Sequence, residues 1–129
     1  TTISHVVPEL SALTYRGYKV QDLCDKCDFE EVAYLVLHGE LPSKAQLKKF
    51  SKEDRSNRIL SKTIIRNIQQ MPKNAHPMDV VRTCVSLMGL EDKDTRDNSP
   101  KANMRKAMRI FAKTPTAVAA YFRARKGKK

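Results

Sequence analysis

The sequence predicts a mainly α protein with a short extended turn near its N-terminus. Three observations carry that expectation. Capping residues recur just ahead of apolar stretches. Beyond residue 20 the apolar positions repeat at helical rather than alternating spacing. Only the first twenty residues combine β-branched and aromatic side chains with Pro8 and Gly17. Strand-like and helix-like segments do not alternate, so no βαβ unit is expected, and no internal repeat is visible.

Residues 1–20 read as extended segments with a turn, in the form of a small hairpin. The turn falls in "LTYRGYKV", residues 13–20. Gly17 permits a backbone angle that a side chain resists. Tyr15 and Tyr18 flank the turn and can pack with their hydroxyls at the surface. Arg16 is expected to fix the turn through a carboxylate or carbonyl partner. A short helix follows, and Cys24 and Cys27 lie near its end.

The longer helices are bounded by their caps. Asp28 with Glu31 makes a capping box ahead of Phe29, Val32, Ala33, Val36 and Leu37, and Gly39 and Pro42 stop that helix. Ser43 with Gln46 makes a second box, and Leu47 and Phe50 begin an apolar stripe. Ser61 caps a helix with Ile64, Ile65 and Ile68 on one face, ended by Pro72. "HPMDVVRTCVSLMGL" opens the next, with Pro77 in its first turn and Asp79 near the positive end of the dipole. Val80, Cys84, Leu87 and Met88 follow its period, and Gly89 is expected to close it. "EDKDTRDNSP" is a charged loop. Ser99 and Pro100 start a long last helix with apolar positions Met104, Ala107, Met108, Phe111, Val118 and Phe122. Pro115 predicts a kink or break near Thr114.

The 129 residues suffice for one domain. The longest apolar run, Val32 to Leu37, is far short of the roughly 20 residues of a membrane span. The N-terminus has no basic region followed by an apolar run, so no signal peptide is expected, and Thr1 in place of Met reads as a processed chain or a piece of a longer one. Three cysteines, Cys24, Cys27 and Cys84, and no secretory signal read as reduced thiols in a cytoplasmic protein.

The net charge of +11 is uneven, because Lys101 to Lys129 holds ten Lys or Arg and no Asp or Glu. Lys101, Arg105, Arg109 and Lys113 recur every four residues and share one face of the last helix. Such a helix can bind a nucleic-acid backbone, a membrane or a partner groove. The preferred reading is structural: the apolar face packs on a core while the basic face meets solvent or an acidic segment absent from the chain. Tyr121 and Phe122 lie on the tail side and make no platform for bases.

Catalytic patterns are scarce. "CDKC", Cys24 to Cys27, suits zinc or thiol exchange, but no second pair follows at ligand spacing, so no metal site is assigned. His5, His38 and His76 have no Ser, Cys or carboxylate at triad spacing; His38 ends one helix and His76 precedes another. Four glycines leave no phosphate-cradling loop. The pairs Glu30–Glu31 and Glu53–Asp54 fall at caps or helix surfaces, with nothing to mark a general acid or base.

Read together, "LTYRGYKVQDL", "FEEVAYLVLHGELPSKAQL", "HPMDVVRT" and "AKTPTAVAA" resemble the amino-terminal part of citrate synthases, in order and spacing and over nearly the whole chain. "VVPELSALTYRGY" with "HPMDVVRTCVSLMG" looks most like the 2-methylcitrate synthase branch. The resemblance implies an almost entirely α-helical large-domain part, with residues 1–129 a single partial domain without a separate linker. It implies condensation of a short acyl-CoA with oxaloacetate, propionyl-CoA in the 2-methylcitrate branch, with both bound as substrates and no prosthetic group. In that chemistry an Asp removes the α-proton of the thioester, a neutral His stabilises the enolate, and a second His acts at the oxaloacetate carbonyl. The motifs holding those residues come after the part matched, so no catalytic residue is assigned and no cofactor-binding residue is known. Arg96 falls where some family members keep a CoA-contacting arginine, in a loop too loosely matched to assign. The resemblance also implies a homodimer through helices near 78–90 and 100–126, and contact with the remainder of the synthase chain. A small basic helical binding module for nucleic acid or another protein is the alternative, and a fragment that pairs with a full-length synthase subunit is a third reading.

Overall fold

A computed structural model describes residues 1–10 and 12–128. It falls into two compact units, Thr1–Glu53 and Asp54–Lys129.

In the first unit, three strands form an antiparallel sheet: β1 (Ser4–Val7), β2 (Ala12–Tyr15) and β3 (Tyr18–Lys19), in that order. Ser4 stands opposite Tyr15, Val7 opposite Ala12, and Tyr15 opposite Tyr18. The last pairing leaves a two-residue loop, Arg16-Gly17, with φ of 50° and 88°. Two successive positive φ values make the turn whose twist suits a hairpin. Gly17 takes that angle freely; Arg16, with a Cβ, does not. What holds Arg16 there is visible. Its backbone N–H donates to Ile3 O at 2.8 Å, and its guanidinium donates to Val36 O at 3.0 and 3.3 Å. The expected partner is thus a carbonyl, and the extended N-terminal turn is a three-stranded sheet.

Three helices follow: α1 (Val20–Lys26), α2 (Phe29–His38) and α3 (Lys44–Asn57). The capping box of α2 forms, with the Glu31 carboxylate accepting from Asp28 N–H at 2.8 Å. Gly39 ends α2 at φ 98° and donates to Leu35 O at 2.8 Å. Val36 O, held by Arg16, belongs to the same last turn, so one guanidinium serves both the hairpin and the negative end of α2. The Ser43–Gln46 box forms as well, at 2.8 and 3.4 Å. Leu23, Leu35 and Phe50 are buried. Leu35 is not among the positions expected to face inward, and Phe29, which is, stays exposed. The reason is that residues 32–37 are apolar all round, so periodicity cannot select a face.

The second unit packs α4 (Lys62–Gln70), α5 (Pro77–Glu91) and α6 (Pro100–Arg125) around one apolar cluster. Ile64 and Ile68 come from α4, Val80, Cys84 and Met88 from α5, and Ala117 and Tyr121 from α6, with Leu60 just ahead of α4. Ser61 Oγ accepts from Ile64 N–H at 3.1 Å and donates to the Glu91 carboxylate at 2.7 Å. It therefore caps α4 and ties it to the end of α5.

Three expectations are corrected here. Gly89 does not close its helix: α5 continues to Glu91, and Asp92 is the C-cap. Gly89 has helical surroundings in which its lack of a side chain costs about 1 kcal/mol rather than ending the helix. Pro115 does not break α6, which runs unbroken over 26 residues. Proline removes one N–H from the ladder. Ala112 before it and Ala117 and Tyr121 after it are all buried, so packing carries the helix through. Val118 and Phe122 are exposed, not inward. Tyr121 takes the inward place, and its hydroxyl lies 2.8 Å from Pro72 O and 3.2 Å from Ala75 O. A buried tyrosine needs such a partner, and the Pro72–Ala75 turn supplies it.

Candidate functional site

The charged loop between α5 and α6 has the most developed polar geometry in the chain. The loop braces itself first. Asp92 Oδ1 accepts from Asp94 N–H at 2.8 Å, Asp94 O from Asp97 N–H at 2.9 Å, and Asp97 Oδ1 from Ser99 N–H at 2.8 Å. The first and last are the side-chain-to-backbone bonds that Asp offers a turn, and the middle one is a backbone turn bond. Ser99 then caps α6, accepting from Ala102 N–H at 3.3 Å.

The braced loop presents two carboxylates to the basic face of α6. Arg109 holds Asp92 with both Nε and Nη2 at 2.7 Å, and Nη2 also reaches Asp94 at 2.7 Å. Arg105 grips Asp94 with two bonds, at 3.0 and 2.9 Å. Lys106 donates to Asp97 O at 2.7 Å. Planar guanidinium on planar carboxylate makes strong, oriented pairs. Side chains of Asp92, Asp94 and Arg109 are 12%, 13% and 20% exposed, so the pairs are partly shielded from water. The acidic partner expected from outside the chain is therefore inside it for Arg105 and Arg109.

The electrostatics follow from those bonds. The Arg109 guanidinium holds Asp92 below the usual carboxylate range. Arg105, then Arg109, push Asp94 well below it. The Ser99 N–H lowers Asp97. All three are anions at neutral pH and poor proton acceptors, unlike a general base, whose pKa must lie near the working pH. What the bonds show is a cluster that braces the loop against α6.

Beside it lies an open groove of about 110 Å³ between α5 and α6, floored by Val85, Met88 and Ile110 and edged by Lys106 and Lys113. Farther along α6, Ile110, Val118 and Phe122 stand at multiples of four residues, 40%, 46% and 59% exposed. On α5, Met78 and Leu90 are exposed too. Exposed apolar side chains carry no proton-transfer chemistry and suit a contact surface.

The remaining candidates have structural surroundings. His76 is the N-cap of α5, and its Nδ1 accepts from Met78 N–H at 3.2 Å. His38 stacks on Tyr34 with ring centroids 4.1 Å apart and meets Phe50 edge-on at 6.2 Å. His5 lies on β1 opposite Thr14. Arg96 is exposed in the charged loop, and Lys101 is exposed on α6. Cys24 is exposed on α1, Cys27 caps its end, and Cys84 is in the core of the second unit. Burial raises the Cys84 thiol above its ordinary value. Among the described residues, no group of three His, Cys, Asp or Glu is placed to hold a metal, and no helix is long and apolar enough to cross a membrane. The Asp92–Arg109 pairing was not foreseen, although acidic residues in "EDKDTRD" beside a basic helix face were the available signal.

A family model described as "Citrate synthase, C-terminal domain" matches residues 1–129. The chain belongs to the citrate synthase family. A 2-methylcitrate synthase of Mycobacterium tuberculosis is 49% identical over 127 residues, 98% of this chain and 32% of that protein. A citrate synthase of Mycolicibacterium smegmatis is also 49% identical, over 98% of this chain and 34% of its own. The crystal structure of citrate synthase from Pyrobaculum aerophilum superposes on all of this chain and 34% of that one, with a TM-score of 0.92 and 30% identity. The chain thus spans about a third of the length of the family members it matches. The mainly α fold expected from the caps and from the resemblance is the fold of the family.

Proposed function

We propose that residues 1–129 form the amino-terminal part of the large domain of a 2-methylcitrate synthase, which condenses propionyl-CoA, oxaloacetate and water to 2-methylcitrate and CoA. The ordered stretches from "LTYRGYKV" to "AKTPTAVAA" carry the family, and the branch rests on "VVPELSALTYRGY" with "HPMDVVRTCVSLMG", supported by 49% identity to a protein of that name. A citrate synthase using acetyl-CoA is the second reading, favoured by the equally similar M. smegmatis protein. Propionyl-CoA and acetyl-CoA differ by one methylene, which a hydrophobic pocket discriminates by about 1–3 kcal/mol. Thiol release by the complete enzyme separates the two: kcat/KM higher for propionyl-CoA supports the first, and higher for acetyl-CoA replaces it with the second.

In this reading the segment contributes scaffold. Acyl-CoA and oxaloacetate bind as substrates, no prosthetic group is held, and the proton-moving Asp and two His come from other parts of the enzyme. The caps and stacking of His76 and His38, and the fully ion-paired Asp92 and Asp94, support that division of labour. The protein works in the cytoplasm as a homodimer, with the exposed faces of α5 and α6 meeting a second copy. Ile110, Val118 and Phe122 support that surface. Val118→Asp with Phe122→Asp is expected to shift the complete enzyme toward monomer in sedimentation; an unchanged dimer would place the contact elsewhere. A basic module for nucleic acid is disfavoured, because Arg105 and Arg109 already have carboxylate partners.

A further inference from the structure

The fold leaves one sequence motif without a role: the pair of thiols at the end of α1. We propose that Cys24 and Cys27 form a reversible intrachain disulfide on exposure to a peroxide, making the α1–α2 junction a site of oxidative modification.

The geometry comes from the helix. Asp25 and Lys26 are helical residues of α1, so the step from Cys24 to Cys27 is three helical residues. Three steps rise about 4.5 Å and, at the helix radius, separate the Cα atoms by about 5 Å. That lies inside the range of about 4.4–6.8 Å over which a disulfide spans two Cα atoms. Cys27 is also where the helix ends. Its φ of −124° and ψ of 144° are extended, so its own conformation is not that of a helical turn, while its N–H still donates to Leu23 O at 3.0 Å. Both thiols are free.

The two thiols differ in a way that orders the steps. Cys24 is exposed, whereas Cys27 is half-buried. Burial, with the Glu31 and Asp28 carboxylates beside it, raises the Cys27 thiol above its ordinary value. Cys24 is thus the first to react. Its thiolate attacks one peroxide oxygen, the O–O bond breaks, and the leaving hydroxide takes a proton to give water and a Cys24 sulfenic acid. Cys27 sulfur then attacks the Cys24 sulfur, the S–O bond breaks, and the departing oxygen takes the Cys27 proton to leave as a second water. Two thiols and one hydrogen peroxide yield one disulfide and two waters. The third cysteine, Cys84, is buried in the second unit and takes no part.

The chain carries a built-in readout. Lys26 lies between the two cysteines, so trypsin cuts between them. The complete native protein is treated with hydrogen peroxide, alkylated with N-ethylmaleimide under denaturing conditions and digested. The expected product is Val20–Lys26 disulfide-linked to Cys27–Lys44, with Cys84 alkylated, and dithiothreitol restores two alkylatable thiols. Cys27→Ser, at a half-buried position, is expected to leave Cys24 as a sulfenic acid trapped by dimedone, and Cys24→Ser to abolish both products. Circular dichroism establishes that each variant is folded. Cys24 oxidised to sulfinic acid without the linked peptide, Cys24 joined to a second chain, or both thiols untouched would each overturn the proposal.

Discussion

Residues 1–53 bury Leu23, Leu35 and Phe50 and are otherwise defined by backbone devices: the Arg16-Gly17 turn, the Asp28–Glu31 box, the Gly39 stop and the Ser43–Gln46 box. Residues 54–128 enclose a contiguous apolar cluster and add a shielded set of ion pairs at its edge. The contrast teaches where specificity resides. In the first unit, short-range caps and turns, joined by the Arg16–Val36 bonds, fix the path of the chain. In the second, side chains far apart in sequence must meet, and the path follows from that meeting.

The sharpest contrast is expected from core truncation. Ile68→Ala, at a site with 1% exposure, removes three carbons from the centre of the cluster and should cost about 3 kcal/mol in urea unfolding. A cost under about 1 kcal/mol would mean that the cluster collapses around the gap, and that the second unit is not core-dominated.

Next comes the ion-pair cluster. Arg109→Ala leaves Asp92 and part of Asp94 without their guanidinium and should cost about 1–2 kcal/mol at neutral pH. The acid response gives its sign. Asp92 and Asp94 have folded-state pKa values below their unfolded ones. Such groups bind fewer protons when folded, so their contribution is complete above the unfolded value and fades as pH falls toward the folded one. Stability should drop below about pH 4, and Arg109→Ala should flatten that drop. An equal slope in both proteins would assign the acid loss to other carboxylates.

The first unit responds at its turns. Arg16→Ala keeps a strained positive φ and removes the bonds to Val36 O, and should cost about 1 kcal/mol. Arg16→Gly loses the same bonds but relaxes the backbone, so it should cost less than Arg16→Ala. The reverse order would show that the extra freedom of glycine in the unfolded chain outweighs the strain relieved at position 16. The smallest effect is expected from a single cap: Ser61→Ala should cost about 0.5 kcal/mol, at the low end for a lost N-cap, because the exposed Glu91 carboxylate exchanges its donor for water.

Legibility in the sequence divides along the same line. The caps Asp28–Glu31, Ser43–Gln46, Ser61 and Ser99 could all be read ahead of the structure, since each interaction spans three residues. The pairing of Arg109 with Asp92 spans 17 positions and depends on a loop reversing direction, which spacing does not encode. Tyr121 entered the core because its hydroxyl finds the Pro72–Ala75 carbonyls, 46 to 49 positions away. Pro115 carries a local penalty that permits a break, and the buried Ala112, Ala117 and Tyr121 around it keep α6 continuous. Of the candidate site, family membership was legible because four stretches in fixed order were specific together. The basic face was legible as a feature but not as a half-neutralised one.

We propose that this segment supplies scaffold to a condensing enzyme and none of its proton-moving groups. CoA thiol release from propionyl-CoA with oxaloacetate, run on residues 1–129 alone and on the complete enzyme, tests it directly. Turnover by the complete enzyme and none above background by the segment is the expected result. Turnover by the segment alone, or none from the complete enzyme with either acyl-CoA, would contradict it.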